Sequence, residues 1–292
     1  MSDSKSAINS NAPLDGAKPQ SNEWREYGLF LLKLAAIVLI FRSLIFSPFS
    51  IPSESMQPRL LIGDYLLVSK WPYGISRYSL PLSPDLFEGR IFGSLPERGD
   101  VVVFKGPGER SNIDFIKRTI GLPGDVIAMR AGVLEINGVP VKMQKLPDFV
   151  TPITQGMIDA ATLANRPSAC VLKQYEETGT DGTTRNCRYR RFMETLPNGR
   201  SYEILDIADA QNADDIEPFV IPEGQVLFMG DNRDNSADGR KADNGEWIGL
   251  IPVENIVGRA QLSWFSTDGS ASWLLPWTWF SAARWDRMGK GF

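Results

Sequence analysis

The stretch Asp114-Phe-Ile-Lys-Arg-Thr-Ile-Gly-Leu-Pro-Gly-Asp-Val-Ile-Ala-Met-Arg-Ala-Gly-Val-Leu-Glu-Ile-Asn-Gly-Val139 reads as three short strands and the turns that join them. Its segments Asp114–Ile120, Asp125–Met129 and Val133–Ile136 are rich in Ile, Val and Phe, whose branched or aromatic side chains suit a pleated, half-buried surface. Gly121-Leu-Pro-Gly-Asp125 is a tight turn. Asn137-Gly138 is a hairpin signal, because both central residues of the favoured two-residue turn need φ above zero. Outward from this stretch, Asp64–Val68, Asp100–Phe104 and Gln225–Met229 repeat the strand pattern. No long helical period interrupts them, so the expectation is a mainly β chain with an antiparallel barrel- or sandwich-like domain. Residues from about 140 to 218 are more polar and less patterned, and are expected to form a β-rich insertion that carries both cysteines.

Upstream the character changes. Residues 1–26 are polar and expected to be a disordered tail. Residues 27–47 contain the apolar run Gly28 to Phe46, and a bilayer span needs about 20 residues. Lys33 and Arg42 interrupt this run. About 13 Leu, Ile, Val and Phe residues contribute roughly −4 to −8 kcal/mol to insertion, and two midplane charges would cost about 5–7 kcal/mol. The two charges lie toward opposite ends, where long side chains reach the headgroups. A single uncleaved transmembrane helix is therefore expected, followed by a domain over 48–292. The competing readings are an interfacial or buried helix and a cleaved signal peptide; against the latter, Ser47-Pro-Phe-Ser-Ile51 offers no small-x-small cleavage site.

The chain has 292 residues, a net charge of −4, two cysteines and no histidine. The absent histidine excludes Ser-His-Asp and Cys-His enzymes and every His-ligated metal site. No metal and no cofactor are expected. The acidic balance argues against a nucleic-acid partner. An enzyme of this composition must take its base from a carboxylate, a lysine or a tyrosine.

Three segments could carry chemistry. The first is Phe49-Ser-Ile-Pro-Ser-Glu-Ser-Met-Gln-Pro-Arg-Leu60, in which Pro52 and Pro58 stiffen a serine-bearing loop; two serines in such a loop are more often simple turn formers. The second is Asp114-Phe-Ile-Lys-Arg118, where alternation puts Phe115 and Lys117 on one strand face and Ile116 on the other. An adjacent Lys-Arg pair is more often a solvated edge. For Lys117 to act as a base it must be neutral, and lowering its pKa by about three units from about 10.4 takes roughly 4 kcal/mol, which apolar burial can supply. The third is Met229-Gly-Asp-Asn-Arg-Asp-Asn-Ser-Ala-Asp-Gly-Arg240, whose dense mixture of acids, amides and arginines after an apolar strand suggests a buried hydrogen-bond network rather than a solvated loop.

Together and in this order, Ser53-Glu-Ser-Met-Gln-Pro-Arg-Leu-Leu-Ile-Gly-Asp64, Phe115-Ile-Lys-Arg-Thr-Ile-Gly-Leu-Pro-Gly-Asp125 and Gly230-Asp-Asn-Arg-Asp-Asn-Ser-Ala-Asp-Gly-Arg240 resemble the motifs of the bacterial type I signal (leader) peptidases. The resemblance covers roughly residues 27–260. It implies that Ser55 is the nucleophile and Lys117 the base of a Ser/Lys dyad. The Ser55 backbone N–H and the Ser53 hydroxyl would form the oxyanion hole. Ser236 would hydrogen-bond Lys117, Asp238 and Arg240 would brace their loop, Gly230 would allow close backbone approach, and Asp231 and Arg118 would be structural. Phe49, Ile51, Pro52, Met56, Leu60, Phe115 and Ile116, with Asp114 nearby, would line shallow pockets for small residues of an extended substrate. The implied partners are preprotein signal peptides and the phospholipid membrane. The implied location is the bacterial cytoplasmic (inner) membrane, with the catalytic domain on its outer, periplasmic face. The chain departs from the family at Glu54, commonly glycine, and at Gly239, commonly serine.

An outward-facing domain sits in an oxidising compartment, so a Cys170–Cys187 disulfide is expected. Trp264, Trp273, Trp277, Trp279 and Trp285, set among Arg284, Arg287 and Lys290, suit a membrane interface as well as they suit a core. Two other readings stand at this level: a soluble Ser/Lys self-cleaving repressor or plasmid-transfer peptidase, and a tethered, non-catalytic peptide-binding domain.

Overall fold

The computed structural model describes residues 20–81, 83–209, 213–241, 246–272 and 274–292, with the side chains of 20–22 left aside. Of the tail expected over 1–26, residues 1–19 lie outside the described residues, as does Trp273. The helix α1 (Gln20–Leu44) begins seven residues before the expected anchor, because the polar stretch after Gln20 continues the helical backbone, with Glu23 in its first turn. It stops before the expected end at 47: Pro48 disfavours helical backbone at Ser47 and cannot donate to a helix, and Phe46–Ser50 is strand instead. From Glu23 to Leu44 the helix is long and apolar enough to cross a membrane, with mean hydropathy 1.9.

Phe41–Phe292 forms one compact unit. Its first strands are β1 (Phe46–Ser50), β2 (Asp64–Ser69), β3 (Val101–Lys105), β4 (Asp114–Gly121), β5 (Val126–Arg130), β6 (Val133–Ile136) and β7 (Val139–Pro140). The polar region supplies β8 (Lys142–Pro152), the short helix α2 (Gln155–Leu163), β9 (Glu176–Thr178), β10 (Arg185–Thr195) and β11 (Ser201–Leu205). Then follow β12 (Ile216–Val220), β13 (Gln225–Met229), β14 (Ile251–Pro252), β15 (Ile256–Ser266) and the one-turn helix α3 (Thr278–Ala282).

A curled seven-stranded sheet runs β1-β2-β15-β3-β4-β13-β14, and every neighbouring pair in it is antiparallel. A second sheet, β12-β5-β6-β7, contains the hairpin foreseen at Asn137-Gly138, where both residues have positive φ and Ile136 faces Val139. The insertion builds its own sheet from β8, β10 and β11, with β9 paired to β10, and the Cys170–Cys187 disulfide joins the loop after α2 to β10. One apolar cluster (Ile51, Met56, Leu60, Leu66, Val101, Val103, Val257) fills one face of the seven-stranded sheet; another (Val102, Phe104, Phe228, Ile256) gathers residues from alternate positions of β3 and from β13 and β15. Those two faces follow from the period of two along β3 and β4.

Candidate active site

The loop between β1 and β2 is closed at its base by Ile51 N–H donating to Asp64 O (2.9 Å) and Gly63 N–H donating to Ile51 O (3.0 Å). Ile51, Met56 and Leu60 anchor it in the core, each no more than 3% exposed. Inside the loop, Gln57 N–H donates to Glu54 O and Leu60 N–H to Met56 O. This leaves Ser53 exposed and Ser55 buried, with their hydroxyl oxygens 3.3 Å apart.

β4 brings Lys117 to this loop. Its Nζ lies 2.6 Å from Ser55 Oγ and 3.1 Å from Ile116 O. The side chain is 5% exposed. Burial pushes the amine down to about 8, against the opposing pull of the Asp238 and Asp231 carboxylates. A hydroxyl and a lysine amine in contact away from water can exchange a proton with little solvent reorganisation.

The segment after β13 forms the third wall. Asn232 N–H donates to Ser55 O (3.1 Å) and Asn232 Nδ2 to Glu54 O (3.2 Å), so the two loops are tied through backbone. Asp238 accepts from Gly230 N–H (2.9 Å) and from Arg240 Nε (2.8 Å), and Arg240 also donates to Arg233 O and Ser236 O. Asp231 takes Arg118 in a bidentate pair (2.7 and 2.6 Å), and the Arg118 guanidinium stacks over Tyr202 at 4.1 Å. A side chain at Gly230 would press on Ser236 Oγ and sit 2.5 Å from Ser55 O, so glycine is required for this close approach.

The geometry departs from the sequence expectations in three places. Ser236 makes no hydrogen bond to Lys117: its hydroxyl is buried beside Gly230 with no partner among the described residues. Phe115 does not join Ile51, Met56, Leu60 and Ile116; it packs against Phe104 in the other cluster, because alternation along β4 sends it to the opposite face from Ile116. Met56 and Leu60 are core residues at 1% and 0% exposure, so they can floor a pocket but not line its surface, whereas Pro52 and Asp114 are exposed.

Other residues of this site went unforeseen. Arg233 forms a bidentate pair with Glu194 of β10, both buried, and Tyr202 OH donates to the same carboxylate. Glu54 turns inward rather than facing solvent: its Oε2 pairs with Arg166 Nη2 (2.9 Å), just past α2, and accepts from Asn235 Nδ2 (3.1 Å). Burial raises the Glu54 carboxyl above its ordinary range, against the pull of Arg166. The dense polar run at 230–240 was a signal for the Arg233 network; nothing local marks Glu194 or Arg166, which come from the insertion.

Over residues 24–265 the chain matches the family described as signal peptidase, peptidase S26. The signal peptidase I of Rickettsia typhi (strain ATCC VR-144 / Wilmington) is 35% identical over 261 residues, covering 87% of this chain and 84% of the relative. That of Rickettsia prowazekii (strain Madrid E) is 36% identical over 251 residues, covering 83% and 80%. A crystal structure of a signal peptidase I from Enterococcus faecalis V583 aligns with 57% of this chain and 97% of its own, at 21% identity and a TM-score of 0.27, a likeness too slight to bear on the fold. With a family match along most of its length and relatives this similar over more than four-fifths of it, the chain belongs to the signal peptidase family, peptidase S26.

Proposed function

We propose that this chain is a membrane-anchored serine endopeptidase that removes signal peptides from exported proteins, with Ser55 as nucleophile and Lys117 as general base. The observation that carries the reading is the 2.6 Å contact between Ser55 Oγ and a lysine amine whose burial lowers its pKa to about 8. The neutral amine accepts the hydroxyl proton as Oγ bonds to the scissile carbonyl carbon. The Ser55 backbone N–H and the Ser53 hydroxyl donate to the oxyanion. The Lys117 ammonium then returns the proton to the leaving amine, and the amine next activates the water that hydrolyses the ester. Asp231, Asp238 and Arg240 hold the third wall against the nucleophile loop.

The strand β1 lies at the edge of the seven-stranded sheet, so its free backbone groups can pair with an extended peptide. Small residues before the cut would sit over Phe49, Ile51 and Ile116. The apolar helix α1 would hold the domain to the inner membrane, on its outer face. The exposed Trp277, Trp279, Phe280 and Trp285 support contact with lipid headgroups.

The test is cleavage of a precursor bearing an Ala-x-Ala site, with the product masses read by mass spectrometry. A single cut after the second alanine is expected, with Ser55→Ala and Lys117→Ala each losing activity by about 10³-fold or more. Cleavage at the wild-type rate by both variants overturns the mechanism.

A further inference from the structure

A basic cavity of about 470 Å³ opens beside β1, lined by Arg42, Lys70, Arg77 and Lys105, with Asp114 the sole acid among the described residues that line it. Two of the cations are matched: Lys105 pairs with Asp114 (2.9 Å) and Arg77 with Asp85 (2.8 Å). Arg42 and Lys70 have no acidic partner among the described residues. Lys70 is the unusual one. It follows directly on β2, is only 3% exposed, and has its Nζ 5.9 Å from the centre of the Phe49 ring. An ammonium so placed has lost most of its water without gaining a carboxylate at ion-pair distance. Burial pushes the amine down to about 8, against the opposing pull of the Asp114 carboxylate and with Lys105 and Arg42 adding to it. A buried cation without a contact ion pair is costly, and an anion bound in the cavity would offset that cost.

The position of the cavity says which anion. Arg42 stands in the last turn of the apolar helix α1, and Ser47 Oγ–H donates back to its carbonyl (2.7 Å), so this wall is where the chain leaves the hydrocarbon. Next to Lys70, Trp71 is 54% exposed and meets Phe46 edge to face at 5.0 Å, an aromatic pair of the kind that settles at headgroup depth.

We propose that this cavity binds the phosphate of an anionic glycerophospholipid headgroup, with Lys70 and Arg42 supplying the charge. The proposal rests on the reading of α1 as a membrane anchor. It adds to that reading a lipid-specific contact that fixes the domain at the bilayer surface beside β1, where the substrate is to pair.

The experiment uses the full chain in nanodiscs of phosphatidylcholine, with and without 30 mol% phosphatidylglycerol, and reads the thermal midpoint of the β domain. Lipid at tenfold over its dissociation constant raises the midpoint by about 3–6 °C. Wild-type protein is expected to show that rise and Lys70→Met to lose it. Lys145→Gln, an exposed cation on β8, should keep it. Cleavage of a soluble peptide in detergent should be unchanged in Lys70→Met, which also reports that the variant is folded. No rise in wild type overturns the proposal, as does an equal rise in Lys70→Met. Equal rises with inorganic phosphate in phosphatidylcholine discs make the ligand free phosphate and overturn the lipid assignment. A raised KM for the peptide in Lys70→Met, with lipid response intact, assigns the cavity to substrate instead. Failure of the chain to enter nanodiscs at all is separately visible and removes the anchor reading along with the site.

Discussion

The Lys117 amine gives the most exacting test, because the burial that would let it act as a base also makes it a liability to folding. With a pKa of about 8 in place of the ordinary 10.5, roughly one molecule in ten carries the neutral amine at pH 7, about 300-fold more than for an exposed lysine. The rate kcat/KM on a soluble peptide should rise about tenfold per pH unit below pH 8 and level off above it. The stability consequence has a definite sign. Below pH 8 the lysine is protonated in both folded and unfolded chains, and the folded state carries the whole penalty of about 3 kcal/mol, 1.36 kcal/mol for each unit of the shift. Between pH 8 and 10.5 the unfolded chain holds more protons, so stability rises with pH; above that range the penalty is gone. Replacing Lys117 by Met keeps the volume and removes the charge. After a loss of about 1 kcal/mol for the Ser55 hydrogen bond, the variant should be more stable than wild type by about 2 kcal/mol at pH 6.5, and by nothing, or slightly less stable, at pH 10.5. Urea unfolding in detergent at the two pH values measures this, beside a pH–rate profile of the wild type. A Lys117→Met protein less stable than wild type at pH 6.5, or a rate that is flat between pH 6.5 and 8, would refute the reasoning.

Two further outcomes follow from the loop contacts. Arg166→Ala strands the buried Glu54 carboxylate and should cost about 3 kcal/mol, while Glu54→Gly with Arg166→Ala should recover most of it, since removing both charges leaves neither unpaired; urea midpoints decide, and a single-variant loss below about 1 kcal/mol counts against the pair. Gly230→Ala forces a methyl to within 2.5 Å of Ser55 O and should lower kcat by at least about tenfold while far-UV circular dichroism stays unchanged; full activity would show that the two loops need not approach so closely.

Much of the fold was legible because its signals are local. The strands at 64–69, 101–105, 114–121, 126–130, 133–136 and 225–229 are short apolar runs bounded by turn residues, and the Asn137-Gly138 hairpin needs only the positive φ its two residues tolerate. The apolar middle of α1 was legible for the same reason, whereas its ends were not: Gln20–Glu26, polar but for Trp24, are residues that a helix accepts once it is nucleated, and the strand at Phe46–Ser50 forms by pairing with β2. The insertion was legible only as polar sequence, because β8, β10 and β11 bury one another rather than a continuous apolar face, and β8 pairs with β10 across a long stretch of chain, from Asn186 with Pro152 to Thr195 with Lys142.

By itself, the sequence determined which groups could do chemistry: without histidine, a serine must find another base, and the three motifs supply a lysine and the polar residues to frame it. Only the tertiary structure decided that the amine meets the hydroxyl, since Ser55 and Lys117 are 62 residues apart and come together only when the sheet curls. It decided too that Ser236 stands without a partner among the described residues, that Phe115 packs on Phe104 rather than beside the nucleophile loop, and that Glu54 finds Arg166. The physical reason is that strand and turn preferences act over a few bonds, whereas desolvation and charge pairing depend on which distant surfaces the packed core brings into contact.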